Sequence, residues 1–103
     1  MHLIQVLLPL YDNDANPIHP ELFQQVRSEL SSRYGGLTVY SQSPAEGLWQ
    51  EGEGDRPVHD ELILFEVMTE QLDRPWWSAY RQKLEERFAQ EEIVIRAQSI
   101  TRL

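Results

Sequence analysis

Apolar and polar positions along this chain switch between two periods, and the switches lay out a β-α-β-β-α-β order. From Leu3 to Leu10 the alternation has a period of two. Ile4, Val6, Leu8 and Leu10 fall on one side, and Leu3, Gln5 and Leu7 on the other. Both sides are largely apolar, which predicts a strand covered on both faces and ending near Pro9. Tyr11 to His19 is rich in turn formers and reads as a loop. From Pro20 to Tyr34 the period lengthens. Leu22, Phe23, Val26, Leu30 and Tyr34 lie within about 120° of arc, one face of a helix. Pro20 suits its first turn, Glu21 complements its dipole, and Gly35-Gly36 ends it.

Leu37 to Gln42 follows as a short strand, and Ser43 to Pro57 reads as irregular. Pro44, Gly47, Gly52, Gly54 and Pro57 break structure there, and Glu46, Glu51, Glu53 and Asp55 make the segment acidic. Leu48 and Trp49 are the exceptions; a Trp in a polar loop predicts a lid over apolar surface or a partner contact. The run from Glu61 to Met68 is the most continuously apolar after the N-terminus. Ile63, Phe65 and Val67 point one way, and Leu62, Leu64, Glu66 and Met68 the other, as in a central strand.

A second helix follows, with Asp73 as N-cap and Pro75 in the first turn. Its stripe of Trp76, Trp77, Tyr80, Leu84 and Phe88 repeats the first helix's stripe at an offset of 54 residues. The stripe accounts for both tryptophans as core. Arg81, Lys83, Glu85, Glu86 and Arg87 line the other side, partly pairing at helical spacings. Glu91 to Ile100 closes the order as a strand.

The matched halves predict a ferredoxin-like α+β fold: a four-stranded antiparallel sheet with two helices on one face. The first and third strands take the middle. The helices cover Ile4, Val6, Ile63, Phe65 and Val67. The opposite face carries Leu3, Leu7, Tyr40, Leu62, Leu64 and Met68, with only the Trp49 loop left to cover it. A face of this kind predicts a homodimer.

Composition narrows the possible functions. The 103 residues suit a single domain, 1–103, and a 41% hydrophobic fraction suits a folded one. There is no cysteine, hence no disulfide or thiolate-metal framework. The opening run lacks a basic leader and is too short to span a bilayer, so a cytoplasmic location is expected. A formal charge of −8 disfavours nucleic acid and anionic membrane surfaces.

Most candidate motifs fail on spacing. Asp12-x-Asp14-x-Asn16 opens like a calcium loop, but Pro17 stands where glycine is needed and Phe23 where a bidentate Glu is needed. His2, His19 and His59 have no ligand spacing, so no metal site is expected. No nucleophile elbow or phosphate-binding glycine loop occurs, and no cofactor is expected. The third strand presents Leu62, Leu64 and Glu66 where RNA-binding relatives of this fold order place stacking aromatics. Glu66 is the strongest single candidate. Among Leu62, Leu64 and Met68 its carboxylate is desolvated, a setting suited to acid–base work in a cleft or to a hydrogen bond across an interface. Tyr40 and Gln5 are expected beside it on neighbouring strands, with Arg96 on the same face farther away.

At Tyr34-Gly35-Gly36-Leu37-Thr38-Val39-Tyr40, around Trp49, at Phe65-Glu66-Val67-Met68 and at Gln90 to Ala97, the chain resembles a family of small bacterial proteins of unknown function. That resemblance implies a ferredoxin-like fold and supplies no reaction. The expected role is a homodimeric interaction or small-ligand-binding domain. Its rival is a cofactor-independent enzyme of the dimeric α+β barrel kind, using Glu66 with Tyr40 or Arg96 under a Trp49 lid.

Overall fold

A computed structural model describes the backbone of residues 1–49 and 58–103, and the side chains of 1–40 and 61–103. The chain order is β1 (His2–Pro9), α1 (Pro20–Tyr34), β2 (Thr38–Trp49), β3 (Val58–Thr69), α2 (Arg74–Arg87) and β4 (Ile95–Ser99). The strands form one four-stranded sheet in the order β2-β3-β1-β4, antiparallel at each junction. This is the ferredoxin-like arrangement, with β1 and β3 central.

Strand alternation decides which face the helices cover. Ile4, Val6 and Leu8 on β1 and Ile63, Phe65 and Val67 on β3 are buried. Their register, with Ile4 opposite Val67 and Val6 opposite Phe65, aligns both sets on one side of the pleat. Onto them pack Phe23, Val26 and Leu30 from α1, and Trp77, Tyr80 and Leu84 from α2. Phe88 closes the gap between helices, its ring 5.4 Å from that of Phe23. Leu22, Tyr34 and Trp76, at the edges of the repeated stripe, are only half-buried.

The helix ends show their causes. Gly35 adopts φ 74°, and its N–H donates to the Ser31 carbonyl at 2.8 Å, the left-handed stop that glycine accepts without a Cβ clash. Asp73 caps α2 by accepting from the Trp76 N–H at 3.1 Å. At the start of α1 the cap is His19, whose Nδ1 accepts from the Glu21 N–H at 3.2 Å. His19 is absent from the usual capping residues and escapes a pattern search for that reason.

Two expected boundaries are corrected. β2 does not stop at Gln42; it continues to Trp49, so Ser43 to Trp49 is strand rather than irregular chain. Pro44 and Gly47 are tolerated because β2 lies at the sheet edge, where one side of the backbone has no ladder to satisfy. The register with β3 shifts between Tyr40 and Ala45, an irregularity that absorbs the extra residues before pairing resumes at Ala45 opposite Leu62. β4 is shorter than expected, Ile95–Ser99 instead of Glu91–Ile100. Val94 still accepts from the Leu7 N–H at 3.1 Å, and before it the chain turns toward α2, where the Ile93 N–H donates to Glu85 Oε2 at 2.9 Å.

Candidate functional site

The sheet face opposite the helices is assembled from the alternate residues of all four strands. Among the described residues no helix or loop covers it. Leu3, Leu7, Leu62 and Leu64 are half-buried, and Tyr40 (47%) and Met68 (48%) are exposed. Val94, on the same side beyond the start of β4, is likewise 47% exposed. Isolated exposed apolar residues need no explanation, but here they gather on one face.

The register shows what stands among them. Thr38 pairs with Glu66, Glu66 with Gln5, and Gln5 with Arg96. Directly opposite residues share a face, so these four form one polar row crossing the whole sheet. Arg96 Nε donates to Gln5 Oε1 at 2.7 Å, which fixes that end of the row. On one flank lie Tyr40, Leu64 and Leu7; on the other, Met68, Leu3 and Gln98. The candidate residues Glu66, Gln5 and Arg96 are therefore brought together in one line.

Tyr40 falls elsewhere. It pairs with Leu64, one step along from Glu66, and the residue beside Glu66 on β2 is Thr38. Sequence alternation puts both on the correct face, but only the register separates them. The side chain of Trp49 lies outside the described residues, as does that of His59. The Trp49 backbone pairs with Val58 at the far end of the β2–β3 hairpin.

A second polar cluster lies on the helical layer and is built across elements. Glu29 of α1 accepts from Arg87 Nη1 at 2.6 Å and Nη2 at 2.9 Å, from the Tyr80 hydroxyl at 3.0 Å and from Lys83 Nζ at 3.3 Å. The two-pronged Arg87 contact drives the Glu29 carboxyl down to about 2, against the opposing effect of burial. Burial, helped by the negative Glu29, pushes the Tyr80 phenol up. Nearby, Arg33 lies 4.0 Å over the Trp76 ring and 3.5 Å from Asp73. Glu29, Arg33, Trp76, Tyr80 and Lys83 thereby line an open groove of about 520 Å³. Its charged groups already have partners within the chain, which marks the cluster as a clamp between α1 and α2.

The clamp carries a pH prediction. Glu29 titrates lower in the folded than in the unfolded chain, so its stabilisation is complete above its ordinary value of 4.5 and is lost as the pH falls toward 2. After discounting for partial exposure, the loss is on the order of 2 kcal/mol. Denaturant melts between pH 6 and pH 2.5 should show this loss in the parent and a flatter acid limb in Glu29→Gln. An identical acid limb in the two proteins would remove the clamp as its source.

Two smaller motifs resolve into local structure. Asp12 Oδ1 accepts from the Asp14 and Asn16 N–H groups, each at 2.9 Å, the turn that residue choice favours. Among the described residues, no three His, Cys, Asp or Glu side chains converge to hold a metal ion. No helix among the described residues is long and apolar enough to cross a membrane.

No protein-family model matches the chain, and no curated protein matches it in sequence. Among solved structures, it is similar to a phage SAM lyase in complex with S-methyl-5'-thioadenosine. The identity is 16% and the TM-score 0.64, over 95% of this chain and 80% of that one. At that identity the likeness shows the fold. The resemblance to a bacterial family of unknown function accordingly stands only as membership of a small α+β fold class.

Proposed function

We propose that the chain works as a homodimeric interaction domain assembled through its helix-free sheet face. The observation that supports this is the composition of that face: Leu3, Leu7, Leu62, Leu64 and Met68 on the two sides of the Glu66–Gln5–Arg96 row. Each large apolar side chain gains about 1.5–3 kcal/mol when fully removed from water, and roughly half of that gain is unused here, because these side chains are half-buried or exposed in the single chain. A sheet face is also the natural partner of another sheet face, stacked about 10 Å away with side chains interleaved.

A second reading is favoured by one observation, the ligand held by the structurally similar lyase. S-methyl-5'-thioadenosine combines a purine, a ribose and a thioether. The row offers an acceptor in Glu66 and donors in Gln5 and Arg96, framed by apolar surface, which is the usual make-up of a small-ligand seat. On this reading Glu66 is the acid–base group of a cofactor-independent enzyme, with Arg96 steadying negative charge and Tyr40 one step away.

Thermal melts with and without S-methyl-5'-thioadenosine separate the two. The interaction reading expects no shift in the parent, and Glu66→Gln to fold with a stability change within about 1 kcal/mol. Ligand binding at 100 times the dissociation constant would add about 2.7 kcal/mol, several degrees for a domain of this size. A shift of that size in the parent, abolished in Glu66→Gln, would overturn the interaction reading in favour of the ligand site.

A further inference from the structure

We infer that the two copies pack with their two-fold axis running along β1, so that Glu66 of each chain meets the partner's Arg96. This rests on the homodimer proposed above and specifies its register. Glu66 on β3 and Arg96 on β4 flank Gln5 on the central β1, one strand spacing of about 4.8 Å to either side. The row thus carries a negative charge at one side of β1 and a positive charge at the other.

Two identical faces can stack about an in-plane axis along the strands or across them. An axis across the strands that runs along this row sets Glu66 over the partner's Glu66 and Arg96 over the partner's Arg96, two like-charge contacts. An axis along β1 exchanges the two sides, and both charges meet their opposites. The roughly 30° angle between aligned sheets displaces groups one strand from the axis by only about 2.5 Å, within the reach of Glu and Arg side chains. The same operation sets Leu64 against the partner's Val94, apolar on apolar. It also brings Leu3 and Leu7, which lie on β1, against their own counterparts. It also sets Met68 against the partner's Gln98, so the apolar pattern is compatible with this axis and the charges select it.

Charge reversal tests this directly. Glu66→Arg and Arg96→Glu each place like charges together, and each alone is expected to self-associate at least about tenfold more weakly than the parent. Mixed in equal amounts, the two variants restore both opposite-charge contacts and are expected to form a heterodimer of near-parental strength. The double variant is expected to homodimerise. Sedimentation velocity reads all four. Parental-strength homodimers of the single variants, or a mixture that stays monomeric, would overturn the register while leaving a parental dimer standing. A monomeric parent would overturn the dimer itself.

A second measurement covers the event that a reversed variant does not fold. Because the chain has no cysteine, single replacements report cleanly. A short bismaleimide is expected to cross-link Leu7→Cys copies, which lie on the axis, and not Tyr40→Cys copies, two strands away from it. The reverse pattern would overturn the register.

Discussion

Phe65→Ala is expected to cost about 3–5 kcal/mol of folding stability. Phe65 is fully buried at the middle of β3, pairing with Val6 on β1 and Val39 on β2. The Arg27 guanidinium lies 6.0 Å over its ring, so the substitution removes a cation contact along with the ring itself. Its neighbours belong to regular strands and helices that cannot collapse far into the space left behind. For a domain whose total stability is about 5–15 kcal/mol, the variant should unfold at much lower urea or not fold stably at all. A loss under 1 kcal/mol would mean that Phe65 is not the centre of the core.

Leu64→Asp, one residue away, is expected to behave in the opposite manner: a near-normal fold and no dimer. Leu64 points to the helix-free face, half-buried between Leu7 and Tyr40. In the single chain a carboxylate there remains hydrated. In the dimer the substitution occurs twice in one interface; with Leu64 already half-buried in the single chain, it loses about 1.5–3 kcal/mol of apolar burial, or one to two orders of magnitude in dissociation constant. Light scattering should give the mass of one chain, with a circular dichroism spectrum like the parent's. The contrast between adjacent residues of one strand follows solely from the two-residue period.

That period explains how far the sequence alone reaches. Ile63, Phe65 and Val67 are assigned to the core, and Leu62, Leu64 and Glu66 to the other side, because alternation depends only on local chain geometry. The helical stripes are equally local, as are the Gly35 stop and the Asp73 cap. The length of β2 is not local. Pro44 and Gly47 read as breakers until the strand is known to be an edge, and the sheet order decides that. The pairing register is also invisible beforehand, and it sets Thr38 rather than Tyr40 opposite Glu66.

The Glu29 clamp shows a different limit. Arg81 and Glu85 pair at 3.1 Å within one helix turn, as spacing alone suggests. Arg87 and Lys83 instead leave their own helix for Glu29, a contact between segments that spacing on one helix cannot reveal. A signal does exist in the repeat. Glu29 and Lys83 stand at equivalent positions of the two helices, 54 residues apart, each just before a buried leucine. Opposite charges at matched positions of two packed helices are a reason to look for a pair.

The helix-free face stands at the centre of the proposal, and the mass of the parent protein in dilute solution tests it most directly. Light scattering on a dilution series, at moderate salt, should give twice the 12.1 kDa of one chain at micromolar concentration, falling toward one chain only on further dilution. A constant 12.1 kDa across the series, with Leu64→Asp indistinguishable from the parent, would contradict assembly through this face.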